Sequence, residues 1–116
     1  MQDWLDRLKN SKKIVVVEGE KDKIALKKLG VKNVIAIARK PIFEFIEEIA
    51  EKNKEVIILT DLDDEGKKLY SKLKNGFQGC GIKVDNRFRE DLFRNTHISQ
   101  IEGIFRYFSR HFSESV

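Results

Sequence analysis

Short apolar runs alternate along the chain with longer segments in which apolar residues recur at helical spacing. The four runs cover residues 14–17, 34–37, 56–59 and 82–84, and they are rich in Val and Ile. They are too short for helices, so they predict β-strands. Polar residues hardly interrupt them, which is typical of a parallel sheet covered by helices on both faces.

The segments between the runs predict helices that link the strands. The first ends at Gly30, the second begins at Pro41, and the third covers about residues 65–75 and ends near Gly76. Apolar patterns at both ends of the chain predict flanking N- and C-terminal helices, while residues 85–97 show no clear pattern and are predicted to be irregular. Right-handed crossovers then give a small doubly wound, Rossmann-like α/β sheet.

Length and composition restrict the class of protein. A chain of 116 residues fits one domain over residues 1–116, with a core at about 13–85 and a C-terminal helical extension over 86–116. No apolar run approaches the roughly 20 residues of a membrane span, and the first ten residues are charged, so we expect a cytoplasmic protein with no membrane partner. The single cysteine excludes an internal disulfide.

The net charge of +4 conceals an acidic middle, because residues 41–66 hold nine acidic and two basic side chains. Glu18 follows the first predicted strand, and Asp61 and Asp63 follow the third. Ligands of open α/β sheets lie at the carboxyl ends of the strands, and two aspartates that flank one residue can bind one hard cation. If strands 1 and 3 are neighbours, in the order 2-1-3-4, Glu18 joins them. The mutual repulsion of three carboxylates then favours a divalent cation.

Several of these acidic residues also have a structural explanation. Asp63 or Asp64 could cap the helix that follows, Glu65 could interact with its dipole, and Glu18 could cap the helix after strand 1. Gly19 and Gly66 are predicted to leave the backbone open to a phosphate.

Two motifs together resemble the Toprim domain. This domain is shared by type IA topoisomerases, bacterial primases, OLD-type nucleases and the ribonuclease that matures 5S ribosomal RNA. The motifs are Val17-Glu18-Gly19 with Asp22 shortly after it, and Thr60-Asp61-Leu62-Asp63 followed by Gly66. The resemblance covers roughly residues 13–85. It implies that Asp61 and Asp63 bind Mg²⁺, with Mn²⁺ as a substitute, that Glu18 is both a ligand and the general acid or base, and that Asp22 lines the pocket.

The resemblance also implies nucleic acid as the partner, with RNA favoured over DNA, in a larger RNA-processing or replication and repair assembly. Topoisomerases need a nucleophilic tyrosine on a separate domain, whereas Tyr70 and Tyr107 lie on helices predicted to pack. The basic residues that follow the carboxyl ends of strands are expected to bind the phosphate backbone: Lys21, Lys23, Arg39, Lys40, Lys67, Lys68, Arg87 and Arg89.

Three functions remain open at this point. The first is a metal-dependent nuclease that processes or degrades RNA, and the second is a metal-dependent nucleic-acid-binding module without turnover. The third is a receiver-like domain in which Asp61 accepts a phosphoryl group, although receivers have one acceptor aspartate and a fifth strand. Whether the chain is an enzyme is therefore left open.

Overall fold

The computed structural model describes residues 1–112, and of Phe112 only the backbone. Residues 113–116 of the predicted C-terminal extension lie outside the described part.

The described residues contain one sheet of four parallel strands in the order β2-β1-β3-β4. The strands are β1 (Ile14–Val17), β2 (Val34–Ala36), β3 (Glu55–Ile58) and β4 (Lys83–Asp85). Val15 of β1 pairs with Val34 on one side and Ile57 on the other. The predicted α/β class and strand order are confirmed, and β1 lies beside β3 as the acidic residues require.

Helices cover both faces of this sheet. They are α1 (Gln2–Asn10), α2 (Glu20–Lys28), α3 (Ile42–Lys52), α4 (Asp64–Gly79), α5 (Arg87–Asn95) and α6 (Ile104–Phe112), with a 3-10 helix at Ile101–Gly103. No helix within residues 1–112 is long and apolar enough to cross a membrane.

Alternate residues of the central strands point into two separate apolar clusters. Val15 and Val17 pack with α1, α2, α5 and α6, whereas Val16 packs with α3 and α4. On the first face the indole N–H of Trp4 donates a 2.9 Å hydrogen bond to the carbonyl oxygen of Phe88. The ring of Trp4 also stacks on that of Phe108 in α6, with their centroids 6.2 Å apart, so the first and last helices meet over one face of the sheet.

Two predictions about the helices were wrong, namely the end of α4 and the absence of a helix from residues 85–97. Helix α4 continues beyond Gly76 and ends at Gly79. Gly76 is not a helix end but a packing position, because α3 and α4 lie close together there and a Cβ would overlap Cδ1 of Ile46. The segment predicted to be irregular contains α5, whose apolar face consists largely of Phe88 and Leu92. A helix of nine residues with so many charged side chains has too few apolar positions to show its period.

Candidate functional site

The loops that follow β1 and β3 lie side by side at the carboxyl edge of the sheet. Glu18 comes directly after β1, and Asp61 comes three residues after the end of β3. The amide of Ala38, beyond β2, donates a 2.8 Å hydrogen bond to the carbonyl oxygen of Glu18. The edge thus brings together residues from three separate crossovers.

The loop between β3 and α4 is folded tightly on itself. Asp63 is the N-cap of α4, and its Oδ1 accepts a 2.8 Å hydrogen bond from the amide of Gly66. The hydroxyl of Thr60 donates a 2.8 Å hydrogen bond to the carbonyl oxygen of Gly66. A Cβ at position 66 would overlap the carbonyl group of Asp61. Glycine is therefore needed at position 66 for close packing.

The amides of the two predicted pocket glycines are both used in hydrogen bonds within the protein. The amide of Gly66 is already bound by Asp63 and cannot also receive a phosphate. Gly19 has an extended backbone, and its amide donates a 3.0 Å hydrogen bond to Oδ2 of Asp22. Both glycines support the acidic side chains.

Residues far along the chain hold the same loop from outside. Oδ1 of Asp61 accepts a 2.7 Å hydrogen bond from the amide of Ile101, and the amide of Leu62 donates a 2.8 Å hydrogen bond to the carbonyl oxygen of Ser99. The guanidinium of Arg89 donates to the carbonyl oxygens of Thr60, at 3.0 Å, and Asp61, at 2.6 Å. Sequence reasoning missed Ser99 and Ile101, because they act through backbone groups that any residue type carries.

Negative charge is concentrated around Asp61. Burial raises the pKa of Glu18, and the charges of Asp61 and Asp22 raise it further. Burial also raises the pKa of Asp22, against the hydrogen bond from Gly19. The pKa of Asp61 is likewise raised by burial, with Asp63 adding to the effect and the hydrogen bond from Ile101 opposing it. These carboxylates are close enough to disfavour one another's ionisation.

Glu102 adds a further acidic group that the sequence did not indicate. Its charge contributes to the raised pKa of both Asp22 and Asp61. It lies on the 3-10 helix, immediately after Ile101. No motif could have identified it, because only the fold brings residue 102 to the carboxyl edge of the sheet.

The donor chemistry of this edge suits a hard divalent cation. Asp61 and Asp63 each use Oδ1 to accept a backbone hydrogen bond, and Oδ2 of each accepts none from the described residues. Such bonds orient carboxylate ligands in metal sites. As they are placed, no three His, Cys, Asp or Glu side chains within residues 1–111 are grouped tightly enough to hold a metal ion. Glu18, Asp61 and Asp63 would therefore have to move closer together to complete a site.

The predicted basic residues are divided between two regions. Five exposed ones follow the carboxyl-edge loops, on the first turn of α2 or α4 or directly after β2: Lys21, Arg39, Lys40, Lys67 and Lys68. Lys23 lines a hollow with Lys12, Lys32 and Asn33, which precede β1 and β2 and so mark the amino edge of the sheet.

The two arginines of α5 have structural partners. Arg87 forms a 3.2 Å ion pair with Asp85, which also pairs with Lys13 just before β1. Arg89 is held by the backbone of the loop between β3 and α4 (residues 59–63, the acidic loop), and its guanidinium lies 4.7 Å from the centroid of the Tyr70 ring. Arg89 is therefore engaged by the backbone, whereas the side chain of Arg87 is 77% exposed and its binding of phosphate stays a prediction.

Comparisons with known proteins agree with this geometry. The Toprim domain model matches residues 13–101. A UPF0292 protein of Methanocaldococcus jannaschii is 37% identical over 108 residues, which are 90% of this chain and 84% of that protein. One of Pyrococcus abyssi is 38% identical over 109 residues, or 91% and 82% of the two chains. A solved structure of a protein from Aquifex aeolicus matches with a TM-score of 0.83 and 34% identity, covering 88% of this chain and 95% of that one. The resemblance inferred from the two motifs is confirmed.

Proposed function

This chain belongs to the Toprim domain family and is related to the UPF0292 proteins, and on that premise we propose that it cleaves phosphodiester bonds of RNA with the help of Mg²⁺. Membership of the family implies a metal-dependent function that involves nucleic acid. The choice of cleavage, and of RNA as substrate, is the proposal.

The observation that carries the proposal is the meeting of Glu18 with Asp61 and Asp63 at one edge of the sheet. The motifs that hold them are more than forty positions apart in the chain, and the adjacency of β1 and β3 brings them together. Mg²⁺ bound by these carboxylates would supply positive charge for the phosphate that is attacked. Mn²⁺ prefers the same oxygen ligands and could replace it.

The protein's own residues have separate roles in this proposal. The amides of Ile101 and Gly66 each donate to one oxygen of Asp61 and Asp63, which leaves the second oxygen of each carboxylate for the cation. Glu18 is the proton carrier in this proposal, and burial together with the neighbouring carboxylates raises its pKa, which favours the protonated form of its carboxyl. Arg39, Lys40, Lys67 and Lys68 are exposed and would bind phosphates on either side of the cleaved bond.

The test compares cleavage of end-labelled hairpin RNA, single-stranded RNA and DNA in Mg²⁺, Mn²⁺ or EDTA. We expect cleavage of RNA only with a divalent ion, and its loss in Asp61→Asn and Glu18→Gln. Asp64→Asn is the matched control, since Asp64 is an exposed acidic residue in the first turn of α4. RNA cleavage that persists in EDTA, or in the Asp61→Asn variant, would refute the proposal.

The placement of the acidic side chains favours a second candidate, a binding module without turnover. Because no three of them form a complete metal site as placed within the described residues, a partner or substrate could be required to assemble it. This candidate predicts Mg²⁺-dependent RNA binding without any cleavage in the same assay. The hypothesis of a receiver-like domain is not retained, because the chain belongs to the Toprim family and residues 1–112 contain no fifth strand.

A further inference from the structure

An open groove lies between α2 and the C-terminal helices, on the side of the molecule where the acidic loop is anchored. Its volume is about 630 Å³. Lys21 and Lys28 of α2 form one wall, and Phe105 and Arg106 of α6 form the other. Ser99, whose carbonyl oxygen holds the acidic loop, also lines it.

The groove contains an aromatic ring that is not covered by the core. Phe105 is 37% exposed and is not a member of the apolar cluster that buries Ile104 and Phe108 on the same helix. The ammonium group of Lys28 lies 5.4 Å from the centroid of the ring. An exposed flat ring beside a cation can offer a stacking surface and a charge to the same ligand.

The charges of the groove are unevenly distributed along its length. Three of its lining residues, Lys21, Lys28 and Arg106, are basic, and the acidic residue is Glu102. Glu102 marks the end next to the acidic site, because its charge acts on both Asp22 and Asp61. Arg106 also lines a second hollow of about 420 Å³ that Arg110 shares further along α6. These cations could hold the phosphates of a polyanion whose chain extends past Glu102 to the acidic edge.

We propose that this groove binds single-stranded nucleic acid, with one base stacked on Phe105 and adjacent phosphates held by Lys28 and Arg106. This assignment rests on the proposed function for the cleavage that follows, but the binding itself does not require a metal. A base that stacks on Phe105 replaces the ammonium of Lys28 over the ring and leaves that ammonium for a phosphate. A duplex does not fit this role, because its bases expose only their edges to a protein. An acidic peptide would match the basic charges of the groove, but its carboxylates would not stack on the ring of Phe105.

Binding of a short fluorescein-labelled oligouridylate, measured by anisotropy in EDTA, tests the groove separately from cleavage. Phe105→Ala should weaken binding roughly tenfold, while Phe105→Trp should retain it, because base stacking accounts for the contact. Lys28→Ala should weaken binding and reduce the salt dependence by roughly 0.7 in the logarithmic slope. Lys27→Ala is the matched control, since Lys27 precedes Lys28 on α2, is equally charged and does not line the groove.

The outcomes separate this inference from the proposed function. If the wild type does not bind the oligouridylate, or if Phe105→Ala and Lys28→Ala bind like the wild type, the groove assignment is wrong even where Mg²⁺-dependent cleavage is found. If binding depends on Phe105 and Lys28 but no metal supports cleavage, the groove stands and the nuclease proposal fails. An oligoglutamate peptide that competes as strongly as the oligouridylate would overturn the choice of nucleic acid as the ligand.

Discussion

Oδ1 of Asp61 accepts a 2.7 Å hydrogen bond from the amide of Ile101, forty positions further along the chain. The bond ties the principal acidic loop to the C-terminal segment and fixes the direction of its carboxylate. It also leaves a buried amide dependent on one side-chain oxygen, since Ile101 is fully buried.

This dependence predicts a difference between two substitutions at position 61. Asp61→Asn keeps an oxygen that can accept the bond, whereas Asp61→Ala leaves the amide of Ile101 unsatisfied. Both remove the negative charge, so their difference isolates the hydrogen bond. We expect Asp61→Ala to be less stable than Asp61→Asn by about 1–2 kcal/mol in urea unfolding. Equal stabilities would show that water or another group satisfies the amide.

Divalent ions should stabilise the wild-type fold. Mg²⁺ or Mn²⁺ relieves the repulsion among the carboxylates, so the melting temperature should rise with ion concentration. Asp61→Asn combined with Asp63→Asn should be folded, since Asn also caps helices, at least as stable as metal-free wild type, and unresponsive to the ions. Glu18→Gln should keep much of the metal response and lose turnover.

Asp64→Asn combined with Glu51→Gln is the control for this experiment, because both residues are exposed helical side chains. This control should respond to Mg²⁺ like the wild type. If neither ion changes the melting temperature of the wild type, Asp61 and Asp63 only stabilise the loop and cap the helix.

The acidic site should also make the metal-free protein less stable as the pH rises. The pKa values of Glu18 and Asp61 are higher in the fold than their ordinary values. The folded state therefore binds these protons more tightly than the unfolded chain, and the free energy of unfolding falls as pH rises through the raised pKa values. Glu18→Gln with Asp61→Asn should flatten this part of the profile, measured by urea unfolding in EDTA. If the double variant has the same dependence of stability on pH as the wild type, Glu18 and Asp61 are not its source.

Asp85 should have the opposite dependence on pH. Burial would raise the pKa of Asp85, but hydrogen bonds from Arg87 and Lys13 hold it at about 2. Its ionised form therefore stabilises the fold above the ordinary pKa, and this stabilisation of about 2 kcal/mol is lost as pH falls towards 2. Asp85→Asn should lower stability at neutral pH and show a smaller loss in acid. A variant as stable as the wild type at neutral pH would contradict the assignment.

The basic residues of the carboxyl edge should contribute to binding through charge alone. Arg39→Ala combined with Lys40→Ala should weaken RNA binding for every sequence and lower the salt dependence by roughly 0.7 per lost contact for single strands. Lys52→Ala with Lys54→Ala is a matched double control, since both lysines are exposed between the end of α3 and the start of β3. The same loss of affinity in the control would show that the contribution of Arg39 and Lys40 is not specific to their position.

The sequence predicted the elements whose signals are local. The four apolar runs predicted the strands. The motifs at residues 17–19 and 60–66 predicted the acidic edge of the sheet and the resemblance to the Toprim family. The structure added what depends on long-range packing, namely helix α5, the anchors at Ser99 and Ile101, and the charge of Glu102. Arg89 shows the limit well, because it follows a strand end as predicted, yet its guanidinium donates to the carbonyl oxygens of Thr60 and Asp61, a contact that depends on the fold.

The hydrogen bond to Asp61 also has a consequence for the order in which a growing chain can become functional. All four strands have been made once residue 85 is added, and the acidic side chains at positions 18, 61 and 63 are already present. The amide that orients Asp61 belongs to residue 101, and its neighbour Ser99 holds Leu62. A chain still being synthesised therefore contains every strand and every acidic side chain of the site before it contains the groups that hold the acidic loop, which acquires its final shape only when the C-terminal segment has folded back.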